Sequence, residues 1–158
     1  MIQVYNNPLL LDFLRVCIKM PEHERRQIEA VSGQPYDVDS VAVGNFCAEG
    51  PKWVIKNDDD PICIGGFVQQ RPGVWRDFML TTPEAWGKHW FAVTRISRRV
   101  MDAMLKSGEA HRLECVALAD RPEQTFRWYA TLGYNLEGRL YGYYANGADA
   151  VIYSRVKH

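Results

Sequence analysis

Between Val74 and Ser107 the chain reads as a strand, VWRDFML, a loop, TTPEAWGKH, and a long amphipathic helix. A loop that leads from a strand into a helix is a place to hold an anion, because unpaired backbone N–H groups and the positive end of the helix dipole converge there. Gly87, Lys88 and His89 close this loop and Arg95 follows on the first turns of the helix, so side-chain charge adds to that of the backbone. Trp86 and Trp90, four residues apart, either wall the loop or anchor it to the core. Two carboxylates lie on flanking strands, Asp77 on the one leading into the loop and Glu114 on the next. Each is a candidate general base, directly or through water, or else a solvent-facing strand residue; His89 is a third candidate. Other groupings carry less. Asp58, Asp59 and Asp60 have no spaced partner ligands and read as a solvated hairpin turn, not as a metal site. Cys17, Cys47, Cys63 and Cys115 are far apart in apolar contexts, without metal-finger or CxxC spacing, and read as buried thiols in a reducing compartment. His23, His111 and His158 lack partners, and no Ser–His–Asp or Cys–His signature supports covalent catalysis.

The elements that must position these residues follow from periodicity. In the long helix Trp90, Val93, Ile96, Val100, Met101 and Met104 recur at three- and four-residue steps, with Arg95, Arg98, Arg99, Asp102 and Lys106 opposite. Upstream, Ile2 to Tyr5 reads as a short edge strand. A helix from Pro8 to about Ile18 follows, with Leu10, Leu11, Leu14 and Ile18 on one face. Pro21 starts a charged surface helix that Gly33 and Pro35 end. Residues 37–46 fit a short helix or a strand equally. Lys52 to Lys56 is a strand, Asn57 to Pro61 a turn, and ICIGGFVQQ a strand that returns through Arg71-Pro72-Gly73 into VWRDFML. Downstream, Arg112 to Ala119 is a half-buried strand with Leu113, Cys115, Ala117 and Ala119 on one face. Pro122 opens a helix through Leu132, capped by Gly133. Residues 134–144 and 149–156 alternate as a closing hairpin, with Asn146-Gly147 suited to a type I′ turn. Tight turns imply antiparallel pairs, and the strand–helix–strand unit from Val74 to Ala119 implies a parallel crossover. The expected fold class is therefore α/β (α+β): one domain, residues 1–158, with a mixed, mostly antiparallel sheet of about six to seven strands and helices on both faces.

Composition narrows the function without naming it. Hydrophobic residues make up 47% of the chain and charged residues 24%, an ordinary globular balance. Nineteen basic and nineteen acidic side chains cancel, which argues against nucleic acid or an anionic membrane as partner. The apolar start, MIQVYNNPLLLDFLRVCI, has no basic segment before it and is broken by Asp12 and Arg15, so a signal peptide is not expected and the protein is read as cytoplasmic.

One longer pattern is more specific. FRWYATLGYNLEG (Phe126 to Gly138) combines an aromatic pair, a short helical spacer and Leu-Gly-aromatic. With the closing RLYGYYANGADAVIYSRV and with TPEAWGK (Thr82 to Lys88), it resembles the GNAT superfamily of acyl-CoA-dependent N-acetyltransferases over roughly residues 61–156. The resemblance implies a GNAT-like fold, acetyl-CoA as co-substrate, no metal, and direct attack by an amine of a small molecule or a protein. It implies Tyr129 as proton donor to the leaving thiolate; the base stays open among Asp77, Glu114 and His89, which are candidates by position alone. Backbone N–H groups of Phe78, Met79 and Leu80 would polarise the carbonyl, and Gly87, Lys88, His89, Trp90 and Arg95 would lie at the CoA pyrophosphate.

The family's loop, Gln/Arg-x-x-Gly-x-Gly/Ala, departs here. Its two small residues, which let backbone N–H groups approach phosphate, fall on His89 and Phe91. Thr81-Thr82-Pro83-Glu84 also reads as a helix start, so a short extra turn is expected in place of an open cradle. Two alternatives follow from that departure. One is a catalytically inactive GNAT-like binding or assembly protein, as among phage virion and host-interaction proteins; the other is a sensor that binds acyl-CoA without turnover. A cluster at Tyr141, Tyr143 and Tyr144 would suit a partner or substrate surface. The oligomeric state stays open, a homodimer included.

Overall fold

Tight reversals at Asp58 (φ 51°) and Gly73 (φ 75°) fold the middle of the chain into an antiparallel meander. In the computed structural model, which describes residues 1–158, that meander is β2 (Lys52–Asn57), β3 (Asp60–Arg71) and β4 (Val74–Thr81). β1 (Ile2–Tyr5) pairs with β2 at one edge. β5 (Arg112–Leu118) joins β4 in parallel, and β6 (Asn135–Leu140) and β7 (Ala150–Val156) complete a seven-stranded sheet of order β1-β2-β3-β4-β5-β7-β6. The expected mixed, mostly antiparallel sheet with helices on both faces is the one found.

One face carries α1 (Leu10–Ile18), α2 (Glu22–Ser32) and α3 (Val38–Cys47); the other carries α4 (Pro83–Trp86), α5 (Trp90–Lys106) and α6 (Glu123–Thr131). Strand alternation divides the two cores: Val54, Ile64 and Leu80 face α1 and α3, whereas Trp53, Ile55, Cys63 and Phe67 face α5 and α6. Two adjacent glycines in β3 allow close packing on both sides. A Cβ on Gly65 would stand 2.1 Å from the Trp53 indole, and one on Gly66 would stand 2.5 Å from the Phe78 ring. No helix is long and apolar enough to cross a membrane.

The structure resolves some sequence expectations and corrects others. Residues Val38–Cys47 form a helix, started by the Asp37 carboxylate, which accepts from Ser40 N at 2.9 Å. α1 buries Phe13, Val16 and Cys17 instead of the predicted leucine face, and leaves Leu11 and Ile18 exposed. Both faces of this helix are apolar, and the one that carries Asp12 is fixed because that carboxylate accepts from Leu9 N at 2.9 Å and pairs with Lys56 at 2.8 Å. Cys47, at the end of α3, is exposed; the other three cysteines are buried. The last hairpin is joined by residues 141–149, not by a two-residue turn: Gly147 N donates to Tyr144 O at 2.8 Å, and Asn146 lacks the positive φ a type I′ turn requires. The triple aspartate makes the β2–β3 reversal, as expected: Asp58 and Asp59 form the turn and Asp60 opens β3, with Asp58 held by the N-terminal ammonium and Asp60 by Arg15 and Lys19.

Candidate active site

β4 and β5 pair only from Val74 to Arg76 against Arg112 to Glu114; beyond that the two parallel strands diverge. A cavity of about 950 Å³ passes through the gap, from α2 and α3 on one face to α6 on the other. Where parallel strands part, the edge N–H and C=O groups of each lose their neighbour and are free for other partners.

On β4 the side chain of Asp77 faces α6. It accepts from the Tyr134 hydroxyl, with the Cys115 thiol beside it. Burial pushes its carboxyl up to about 6, against the lowering pull of Tyr134, Cys115 and Arg76. Tyr129, on α6, lines the same cavity; its hydroxyl accepts from Arg121 Nη1 at 3.1 Å, and burial holds it protonated. The structure thus brings Asp77 and Tyr129 to one cavity wall. Glu114 stands apart, on the opposite face of the sheet. Burial would raise its carboxyl, but Arg112 at 2.9 Å and Arg76 at 3.2 Å prevail and hold it below the usual range. Phe78, Met79 and Leu80 all line the cavity. Thr82 N donates to β3, at Ile62 O, and Thr81 N points the other way; alternation therefore turns the Met79 N–H toward the gap.

A carboxylate that sequence reasoning did not single out occupies the upper gap. Glu24 of α2 reaches the end of β4, accepting from Thr81 N at 3.0 Å, from Thr81 Oγ1 at 2.6 Å and from Trp86 Nε1 at 3.3 Å. Arg121 Nη2 lies 3.8 Å away, and both side chains are almost fully buried. Burial raises the Glu24 carboxyl, with Arg121, Thr81 and Trp86 offsetting part of the effect. In sequence Glu24 is one charge among many on a surface-like helix, so only the packing reveals it. Tyr134 was visible as the aromatic of Leu-Gly-aromatic, but nothing in the sequence tied it to Asp77.

The loop after β4 closes into α4, as the Thr-Pro start implies. Ala85, Gly87, His89 and Trp90 spend their backbone N–H groups on carbonyls inside the loop. Those of Lys88, Phe91 and Ala92 have no partner within the protein and lie at the N-terminus of α5. Lys88 and Gly87 are exposed, and Arg95 is exposed on the outer face of α5. The His89 ring is mostly buried, with Nε2 3.8 Å from Glu84. Trp90 stacks on Trp86 at 5.1 Å, and both rings meet Trp128 of α6, at 5.3 and 5.1 Å. These indoles form the wall between the α5 N-terminus and the gap.

No family model matches the chain, and no curated protein does. Solved structures share its fold. A GNAT-family acetyltransferase from Bacillus anthracis is 13% identical, with 98% of this chain and 94% of that one aligned at a TM-score of 0.72. The ribosomal-protein-S18-alanine N-acetyltransferase from Escherichia coli is 14% identical over 100% and 96%, at 0.71. The ribosomal-protein-S5-alanine acetyltransferase from Vibrio fischeri is 19% identical over 99% and 93%, at 0.69. The chain has the fold of the GNAT acetyltransferases.

Proposed function

We propose that the protein is an N-acyltransferase that moves an acetyl group from acetyl-CoA to an amine in the gap between β4 and β5. The observation that carries this reading is the convergence of Asp77 and Tyr129 on one cavity that passes through the gap. A carboxyl raised to about 6 is ionised at neutral pH yet more basic than an ordinary aspartate, which suits it to take the amine proton. Tyr129, held protonated by burial, can give its proton to a thiolate. Arg121, as donor to the same hydroxyl, orients it. The Met79 N–H is the donor available to a carbonyl oxygen in the gap.

The residues present fit the phosphates of CoA at one place: three free N–H groups, at Lys88, Phe91 and Ala92, beside the exposed Lys88 ammonium. Bound there, CoA would supply an activated acyl carbon and a thiol leaving group. Gly87 is exposed at that end of the loop, while His89 and Trp90 form its inner wall. Arg95, farther out, adds charge. Glu114 is better suited to hold Arg76 and Arg112 than to act as a base. The acceptor is a small molecule or a protein amine, and four cysteines without a disulfide suit the cytoplasm.

A second reading, a GNAT-like binding protein without turnover, is favoured by the way Glu24 occupies the β4 edge. The two are separated by incubating the protein with acetyl-CoA and a panel of amines, with mass-spectrometric detection of acetylated product. Product that disappears in Tyr129→Phe supports the enzyme. No product with any amine, from a protein that still binds amines, supports the binding protein.

A further inference from the structure

α2 crosses the gap between β4 and β5, and two of its side chains, one turn apart, each satisfy a gap-facing N–H of one strand. Glu24 accepts from Thr81 N of β4 at 3.0 Å, and Gln27 accepts from Leu118 N of β5 at 2.7 Å. The Gln27 amide is engaged at both ends, because its Nε2 donates to the Tyr144 hydroxyl at 3.0 Å. The Glu24 carboxylate, in contrast, has a second seat beside it. Nε and Nη2 form one edge of the Arg121 guanidinium; both are buried without a hydrogen-bond partner, and Nη2 lies 3.8 Å from Glu24 Oε1. The third nitrogen, Nη1, donates to the Tyr129 hydroxyl. A two-donor edge of this kind grips a carboxylate with parallel hydrogen bonds, and buried donors without an acceptor are costly.

Resting on the acyl-transfer reading, we propose that Glu24 is a two-position latch: it covers Thr81 N in the free protein and moves onto the Nε–Nη2 edge of Arg121 when acetyl-CoA binds along β4. The Met79 N–H that suits the acyl oxygen lies before the end of β4, and the N–H groups of Lys88, Phe91 and Ala92 that suit the phosphates lie beyond it. Thr81 carries the next gap-facing N–H after Met79. Released by the carboxylate, that N–H is a donor for an amide carbonyl of the arm that joins sulfur to phosphate in CoA. A shift of about 1 Å brings Glu24 from 3.8 Å to the distance of a charge-assisted pair with Arg121. Trp86 Nε1 keeps Thr81 Oγ1 as its acceptor, at 2.6 Å. Because Arg121 also holds Tyr129, the same movement fixes the group that orients the proposed acid.

Calorimetric titration of the full chain with acetyl-CoA tests the latch in the wild type, Glu24→Ala, Arg121→Lys and the double variant. Without Glu24 there is no carboxylate to displace, and Kd is expected to fall about tenfold. Arg121→Lys keeps the charge and loses the two-donor edge. Its Kd is expected to rise several-fold where Glu24 is present and to stay unchanged where Glu24 is absent. Side chains that serve folding alone would instead give additive effects, and additivity overturns the latch. In the wild type, NMR is expected to show the Arg121 Nε–H resonance moving downfield as acetyl-CoA saturates the protein. Bound acetyl-CoA with an unmoved Arg121 Nε–H, or a folded Glu24→Ala that binds no tighter than the wild type, overturns the latch and leaves the acyl-transfer reading standing. Absence of acetyl-CoA binding in the wild type and in every folded variant refutes that reading, and the latch with it.

Discussion

Replacing Asp77 with asparagine should reveal one group in two assays. The carboxyl ionises near 3.8 in an unfolded chain and near 6 in the fold, where burial disfavours its charge. Because the folded value is the higher one, the native state binds the proton more tightly between these limits. Stability is then lost as pH rises from about 4 to about 6, and the loss is complete above it. At 1.36 kcal/mol per pH unit, the difference amounts to at most about 3 kcal/mol. Asparagine carries no charge, yet its Oδ1 can still accept from Tyr134. The variant should match the wild type in urea denaturation at pH 4 and exceed it at pH 8 by up to about 3 kcal/mol. Taking the difference between the two proteins cancels other carboxylates, such as Glu137, which Arg112 and Ser154 hold at about 2 and which acts with the opposite sign at lower pH. In the same pH range the wild type's kcat/KM should rise as Asp77 ionises, and the variant should lose about 10²-fold or more of it. A stability difference that does not change with pH, or an asparagine variant less stable at pH 8, would refute the assignment of a half-buried carboxylate whose partners offset only part of its desolvation.

Tyr129→Phe should reduce turnover and leave the binding of acetyl-CoA nearly unchanged, which single-turnover kinetics and calorimetry would separate. Glu24→Ala strips Arg121 of its counter-charge and Thr81 N of its acceptor, and should cost about 3–5 kcal/mol in chemical denaturation; a loss below about 1 kcal/mol would mean the pair is hydrated in solution. Trp128→Ala removes an indole packed on Trp86 and Trp90 that also donates to Thr94 at 3.1 Å, and should cost about 3–5 kcal/mol. Phe91→Gly should strengthen the binding of CoA by clearing an exposed ring from the α5 N-terminus; a weaker complex would instead assign that ring to the cofactor pocket.

Strong periodicity made most of the fold legible. The stripe of α5, the alternation of β5, and the Pro122 and Gly133 that bracket α6 all correspond to what the structure contains. Gly133 takes a φ of 94°, with its α-carbon so close to Arg155 that an added Cβ would stand 3.0 Å from Nε. Where two faces were equally apolar the pattern was ambiguous: α1 turned Phe13 and Cys17 inward, and α3 has almost no amphipathic signal. The site divides in the same way. Tyr129 and Asp77 were legible from a motif and from a strand position. Glu24 and Arg121 were not, because their roles come from α2 reaching across the gap, a long-range contact that leaves no local trace in the chain.

The central claim is that the β4–β5 gap serves acyl transfer from CoA, and calorimetric titration of the purified protein with acetyl-CoA, with free CoA alongside, tests it most directly. The account predicts saturable binding in the micromolar range, with matching thermal stabilisation. Absence of heat together with an unchanged melting temperature at millimolar acetyl-CoA would contradict it.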